Sequence, residues 1–355
     1  MRLPEQVYKI LVMGQNRFNK NIMPSTITSV GLVSSATGRF SVAPMINKTD
    51  RHCRFFMRQF SRHALLYTEM VTTNALLHGK GNYLAYSDAE HPLALQLAGN
   101  ERNALARCAR MAQAHGYDEV NLNVGCPSNK VKHGRFGACL MADKDRIASC
   151  IAAMREAASL PITVKTRIGI DEQDSYLFLC DFIDSVSTSG GCKTFIIHAR
   201  KAWLNGLNPK KNREIPPLDY ERVYQLKRDF SSLNIIINGG ITTLNSAKVH
   251  LQQIDGVMIG REAYYNPGIL SLVDSELFDD TDPLPNREAV IDVMLPYIEQ
   301  ELSHGTILGD ITRHMLGLFH GVPGARRWRR YLSESAQRPG TGADVLIKAL
   351  SCMQN

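Results

Sequence analysis

A chain of 355 residues, 44% hydrophobic and 21% charged, has room for a barrel of roughly 250 residues plus a smaller appended unit, and its composition excludes the disordered and collagen-like classes. The excess of 41 Lys+Arg over 34 Asp+Glu gives a net charge of +7, which tilts the partner toward a polyanion without requiring one. Eight scattered cysteines form no CxxC pair, arguing against a metal site and for a reduced, cytoplasmic setting, and no run of about 18 apolar residues is present to span a membrane.

Residues 1–39 contain one acidic residue, Glu5, and the Ser/Thr-rich stretch STITSVGLVSSATG, so they read as a poorly defined leader. Organelle transit peptides and ordinary unstructured leaders share that composition. From Phe40 onward, short apolar and β-branched runs recur: FSVAPM from Phe40, LLYTEM from Leu65, LALQLAG from Leu93, EVNLNVG from Glu119, ITVKTR from Ile162, TFIIHAR from Thr194, NIIINGG from Asn234 and DGVMIGR from Asp255. Between most of them lie amphipathic stretches such as ERNALARCARMAQAHG and DKDRIASCIAAMREAASL, with apolar residues three and four apart. Eight strands joined by helical crossovers predict a closed parallel (β/α)8 barrel, the TIM barrel, over residues 40–280. An open doubly wound sheet is the alternative, weakened because no GxGxxG follows the first strand. After Tyr264 the acidic, proline-containing stretch SELFDDTDPLPNREAV gives way to purely helical patterns, so residues 281–355 predict a small all-helical C-terminal domain of about four helices.

Barrel enzymes assemble their sites at the carboxyl ends of the strands, and those ends are unusually polar here. Strand one ends in Pro44-Met45 and strand three carries Gln96. Strand four runs through Asn121 and Asn123 into Gly125 and Cys126, strand five ends in Lys165 and Arg167, and strand six in His198 and Arg200. Asn238-Gly239-Gly240 and Gly260-Arg261 close strands seven and eight, where backbone N–H groups commonly bind a phosphate and an arginine adds a charge-assisted bond. Lys165, on a strand that should be buried, calls for an anion, because an unpaired buried ammonium costs several kcal/mol. Gln96 and His198 are candidates to meet the edge of a heterocycle or a phosphate. Cys126, between Gly125 and Pro127, sits on a sharply turning backbone at the barrel mouth beside two asparagines. In GARRWRRY, Arg326, Arg329 and Arg330 share a helical face, with Arg327 close by.

NLNVGCPS, VKTRIGID, FIIHARKAW, IINGGI and GVMIGREAYYNPGI closely resemble the signature segments of the tRNA-dihydrouridine synthases, and HARKAWLNGLNPKKNREIPPLDY with RHMLGLFHGVPGARRWRRYLSE resembles their bacterial A subfamily, from about Phe40 to the end. The resemblance implies a flavoprotein in which FMN lies across the barrel mouth against Pro44, Met45, Gln96, Lys165, His198, Asn238, Gly239, Gly240, Gly260 and Arg261, with NADPH as its reductant. Hydride passes to carbon 6 of a D-loop uracil, at positions 20 and 20a, while the Cys126 thiol protonates carbon 5. An unperturbed thiol pKa of about 8.5 suits a proton donor at neutral pH. Asn123 would hold the uracil with help from Arg200. Lys210, Arg213 and the four arginines Arg326, Arg327, Arg329 and Arg330 would contact the tRNA backbone. A monomer is the expected state.

One segment departs from the family pattern. Where the first strand usually continues from APM into an aspartate and an aromatic or apolar residue, this chain reads APMINKTD, with Asn47 and Lys48, which puts the geometry of a flavin-lining loop in question. Two other functions remain to be separated: a flavin barrel acting on a free pyrimidine, as dihydroorotate dehydrogenase does, and a catalytically idle RNA-binding protein.

Overall fold

The computed structural model describes residues 38–128, 134–338 and 340–354. The leader expected over residues 1–39 lies outside them apart from Gly38 and Arg39. Eight strands run β1 Phe40–Val42, β2 Leu65–Thr72, β3 Leu93–Ala98, β4 Glu119–Asn123, β5 Ile162–Arg167, β6 Thr194–His198, β7 Asn234–Asn238 and β8 Gly256–Ile259. Each pairs in parallel with the next, and β8 pairs with β1 to close the barrel, with Phe40 opposite Val257 and Val42 opposite Ile259. All eight expected strands are therefore present, in the expected order.

The strand period of two sorts the side chains. Residues that point outward, such as Leu97, Val120, Val164 and Ile197, join one large core with the inner faces of the surrounding helices. Inward-pointing Leu65, Tyr67, Ala94, Ile196, Ile236 and Met258 form a second, smaller cluster that plugs the barrel. Moving two residues along each strand replaces that apolar plug with Gln96, His198 and Asn238, so the polar layer lies at the carboxyl end. The helices are α1 Arg51–Arg58, α2 Thr73–His78, α3 Arg102–Ala114, α4 Lys144–Ala157, α5 Tyr176–Thr188, α6 Tyr220–Asp229 and α7 Leu244–Leu251. Most of them begin at a side-chain cap, including Asp50, Thr72, Asp143, Ser175, Asp219 and Thr243, each accepting a first-turn N–H worth about 1 kcal/mol.

After β8 the chain is helical: α8 Arg261–Tyr265, α9 Val273–Leu277, α10 Arg287–Ser303, α11 Leu308–Thr312, α12 Ala325–Ser335 and α13 Asp344–Gln354, with short 3-10 turns between some of them. Trp328 on α12 is fully buried, donates its indole N–H to the Met315 carbonyl at 3.0 Å and packs edge-on against Phe319. Residues 35–355 form one compact unit. Contacts that bind the late helices to α1 and its cap include the Arg51–Glu301 ion pair, the stacked rings of Phe55 and Tyr297 at 3.9 Å, the His52–Tyr297 hydrogen bond at 2.7 Å, and Asp50, which pairs with Arg313 and with His314 at 2.9 Å. Among the described residues, no helix is long and apolar enough to cross a membrane.

Candidate active site

At the carboxyl ends of the strands opens a cavity of about 780 Å3. Its lining includes Pro44, Met45, Gln96, Asn123, Cys126, Lys165, His198, Lys210, Arg213, Asn238, Gly239, Gly240, Gly260 and Arg261. Residues far apart in sequence thus converge because each stands at, or just beyond, the end of a strand. Arg200 does not line the cavity; its guanidinium is bonded to the Pro216 carbonyl and braces the loop after β6. Arg326, Arg327, Arg329 and Arg330 are exposed on α12, away from the cavity wall, and Arg330 pairs with Glu334 at 2.8 Å.

The cavity floor is cationic. Burial, reinforced by Arg167, pushes the Lys165 ammonium down to about 7, and its Nζ donates to Asn238 Oδ1 at 2.9 Å. Arg167 is likewise lowered by burial, to about 10, and spends its N–H groups on the carbonyls of Gly125 at 2.8 Å, Lys201 at 3.1 Å and Asn212 at 3.2 Å. It therefore ties the β4, β6 and later loops together. Burial and the neighbouring cations Arg167, Lys165, Arg200 and Arg213 hold His198 well below the ordinary imidazole value, so it is neutral at pH 7. Its Nδ1 is buried with no hydrogen-bond partner among the described residues. Burial also lowers Arg213. Arg261 reaches Glu214 at 3.1 Å on the exposed rim.

Gly239 and Gly240 have φ of 120° and 73°, backbone that side chains rarely adopt, and a Cβ on Gly240 would come within 2.6 Å of Leu218. Tyr220 donates its hydroxyl to the Gly239 carbonyl at 2.7 Å and holds the turn. Gly260 is different: its φ is −121°, and a Cβ there would meet nothing closer than 3.6 Å, so the cavity wall and not the backbone is what a side chain would change.

Cys126 is half-buried on the wall. Its N–H donates to Asn123 Oδ1 at 2.9 Å, and its Sγ lies 3.6 Å from Ser128 Oγ. Cys53, Cys108, Cys150 and Cys192 are buried, and desolvation raises each of their pKa values, to about 11 for Cys108 and Cys150 and about 12 for Cys192. Those four are packing residues. Among the described residues, Cys126 is the one cysteine on the cavity wall.

The Asn47-Lys48 departure is supported by contacts of its own. Asn47 adopts φ of 59°, where asparagine is tolerated better than most residues, and its N–H donates to the Glu69 carboxylate. Lys48 places its ammonium 3.6 Å from the centre of the Tyr264 ring and 4.5 Å from that of Tyr265. Tyr265, 55% exposed on the rim, was not singled out from the sequence, since the five-residue helix α8 that turns it back toward the cavity carries no periodic signal.

These residues fit a flat heterocycle bearing a phosphate. An orphaned imidazole nitrogen and a buried ammonium await polar and anionic partners, and the Gly239-Gly240 turn, packed against Leu218, brings bare backbone to the cavity wall. FMN, as expected from the sequence, has that chemistry.

The family described as dihydrouridine synthase (Dus) matches residues 41–354. The tRNA-dihydrouridine(20/20a) synthase of Escherichia coli (strain K12) is 66% identical over 314 residues, covering 88% of this chain and 91% of that protein. The proteins of the same name from Salmonella typhi and Vibrio parahaemolyticus are 65% and 62% identical over 88% of this chain, covering 94% and 96% of their own lengths. Among solved structures, a complex of 2-naphthoyl-CoA reductase with 2-naphthoyl-CoA aligns with a TM-score of 0.50 at 11% identity, covering 66% of this chain and 49% of that one, a likeness of fold alone.

Proposed function

The chain belongs to the dihydrouridine synthase family, and from that premise we propose that it reduces the C5–C6 double bond of D-loop uridines in tRNA, at positions 20 and 20a, with Cys126 as the proton donor. When bound, FMN would supply the hydride for carbon 6, with NADPH as its reductant. The chain's own residues do the rest. Pro44, Met45, Gln96, His198 and Asn238 bind the cofactor, Gly239, Gly240, Gly260 and Arg261 take its phosphate, and Lys165 offsets its negative charge. The Cys126 Sγ–H bond gives its proton to carbon 5 and leaves a thiolate. Asn123 and Arg200 serve the uracil, one by contact and the other by bracing the loop beside it.

Reaching the cavity requires the uridine to leave its stacked position, at a cost of a few kcal/mol that contacts elsewhere on the tRNA must offset. Lys210 and Arg213 at the mouth, and Arg326, Arg327, Arg329 and Arg330 on α12, are the phosphate contacts of this reading. A cytoplasmic monomer that needs no metal completes it; eight cysteines scattered along the chain with no CxxC pair support a reducing compartment.

The observation that carries the proposal is the position of Cys126, a half-buried thiol on the wall of a cationic cavity. Cys126→Ala should purify yellow and bind tRNA, yet leave uridines 20 and 20a unreduced when tRNA from a complemented deletion strain is mapped. Full dihydrouridine content in that strain would refute the proton-donor role.

A further inference from the structure

The barrel interior below the cavity holds a carboxylate that the proposed chemistry does not use. Glu119 stands at the start of β4, two residues below Asn121 and four below Asn123, so the strand period puts all three on the inner face. Its Oε1 accepts two hydrogen bonds, from Tyr67 at 2.6 Å and from Thr163 at 2.7 Å. From there the bonds run upward in one sense. Thr163 Oγ1 accepts from Asn121 Nδ2 at 2.8 Å, Asn121 Oδ1 accepts from Gln96 Nε2 at 2.8 Å, and Gln96 Oε1 accepts from Asn123 Nδ2 at 2.9 Å. Asn123 Oδ1 then accepts the backbone N–H groups of Gly125 at 3.2 Å and Cys126 at 2.9 Å.

We infer that Glu119 is a positioning residue for Cys126, acting through this hydrogen-bond chain across β3, β4 and β5; the inference rests on the reading of Cys126 as proton donor. Both ends of the chain have fixed polarity. The two backbone N–H groups at the top can only donate, and the carboxylate at the bottom can only accept. Thr163 has a single proton, and giving it to Glu119 leaves its oxygen free to receive Asn121. Each amide in between has one oxygen and one NH2 group, so turning any of them over breaks at least two hydrogen bonds. Thr163, Asn121 and Gln96 are each no more than 2% exposed, so that penalty applies in full. Without an acceptor at the base, Thr163 can donate to Asn121 instead, the amides above can invert, and Asn123 no longer has a single orientation toward the Cys126 loop.

Burial raises the proton affinity of Glu119, and the two donors only partly offset that. An apolar residue would sit more comfortably beside Ala94 at the plug, so the carboxylate is a stability burden for which the chain supplies a reason. Asn123 consequently has two duties: its oxygen is spent on the loop, and one N–H remains for a uracil carbonyl.

The test compares two half-reactions in the FMN-loaded full chain. Flavin bleaching by NADPH reads the cofactor, and flavin reoxidation by unmodified tRNA transcript reads transfer to uracil. Glu119→Met should slow reoxidation by tRNA at least about tenfold more than it slows bleaching, on the scale that small misplacements of reacting groups produce. Glu119→Gln, which keeps an acceptor oxygen, should recover to within about threefold. Thr163→Val removes the next link and should show the same split if Glu119→Met does not fold. Reoxidation of Glu119→Met or Thr163→Val at the wild-type rate overturns the inference, as does a Glu119→Gln protein as slow as Glu119→Met. Cys126→Ala serves as the reference: fast reoxidation there defeats the proton-donor reading itself, whereas a slow Cys126→Ala beside a fast Glu119→Met defeats only the role of Glu119.

Discussion

Removing the buried charge of Lys165 should strengthen the empty protein and weaken its grip on FMN. The ammonium titrates near 7 in the folded chain against 10.5 for an exposed lysine, mainly through burial and then through Arg167. A lysine whose folded pKa is depressed binds fewer protons folded than unfolded between those two values. Stability therefore rises with pH through that window, and the full penalty is present below pH 7. A gap of about 3.5 pH units corresponds to about 5 kcal/mol, of which about 4 is felt at pH 7. Lys165→Met, similar in length and uncharged, should accordingly unfold the apoprotein at a temperature several degrees higher at pH 7, and by less at pH 9. Binding of FMN should show the converse. If the anionic cofactor requires the ammonium, the competent fraction falls from one half at pH 7 to about 1% at pH 9, so the apparent Kd should rise about 50-fold. Flavin fluorescence quenching from pH 7 to 9 measures this directly. A wild-type Kd flat over that range, or the same slope in Lys165→Met, would refute the argument.

Gly240→Ala should lose FMN and destabilise the protein by about 1–2 kcal/mol, because φ of 73° and the 2.6 Å approach to Leu218 leave no room for a methyl group; flavin content on purification and a denaturant melt check both. Asp50→Asn should cost about 3 kcal/mol by leaving Arg313 and buried His314 without their carboxylate. Since the His314 contact and the Cys53 N–H hold the Asp50 carboxyl well below its usual value, its contribution is present above about pH 4 and is lost as the medium is acidified further, so an acid melt of Asp50→Asn should lack that component. Arg326→Ala should weaken tRNA binding and lower the salt slope by about one without bleaching the flavin, as filter binding from 50 to 200 mM salt would show.

The barrel was readable from periodicity because both of its periods are simple. β3 and β4 are buried along their whole lengths, as strands covered on both faces must be, and the amphipathic segments between them have one face to bury. The site residues were readable for a related reason: a polar residue ending an apolar strand has no role in the plug and must face the mouth. Arg200 shows where that reasoning stops. It follows β6 as Arg167 ends β5, yet the loop after β6 returns close enough to capture its guanidinium with the Pro216 carbonyl, a contact that depends on sixteen residues of irregular backbone. Tyr265 failed to register for the same cause, and Lys48 registered only as a departure from the family pattern, since their meeting joins the loop after β1 to the helix after β8, 217 residues apart.

The Glu119 chain marks a subtler boundary. The alternation Glu119, Asn121, Asn123 already puts three polar side chains on the inner face of one strand, which no apolar plug tolerates without partners. What alternation cannot supply is the partner on each neighbouring strand, because that depends on register. Gln96 lies opposite Asn121 on β3, Thr163 opposite Asn121 on β5, and Lys165 opposite Asn123. A slip of one residue in either pairing would turn Gln96 or Thr163 outward and leave Asn121 and Glu119 unsatisfied in the barrel. The same network that orients the Cys126 loop therefore also selects the register of β3, β4 and β5. Conversely, any variant that loosens this register should show its effect first at the proton donor, seven residues or fewer along the chain from every β4 member of the network.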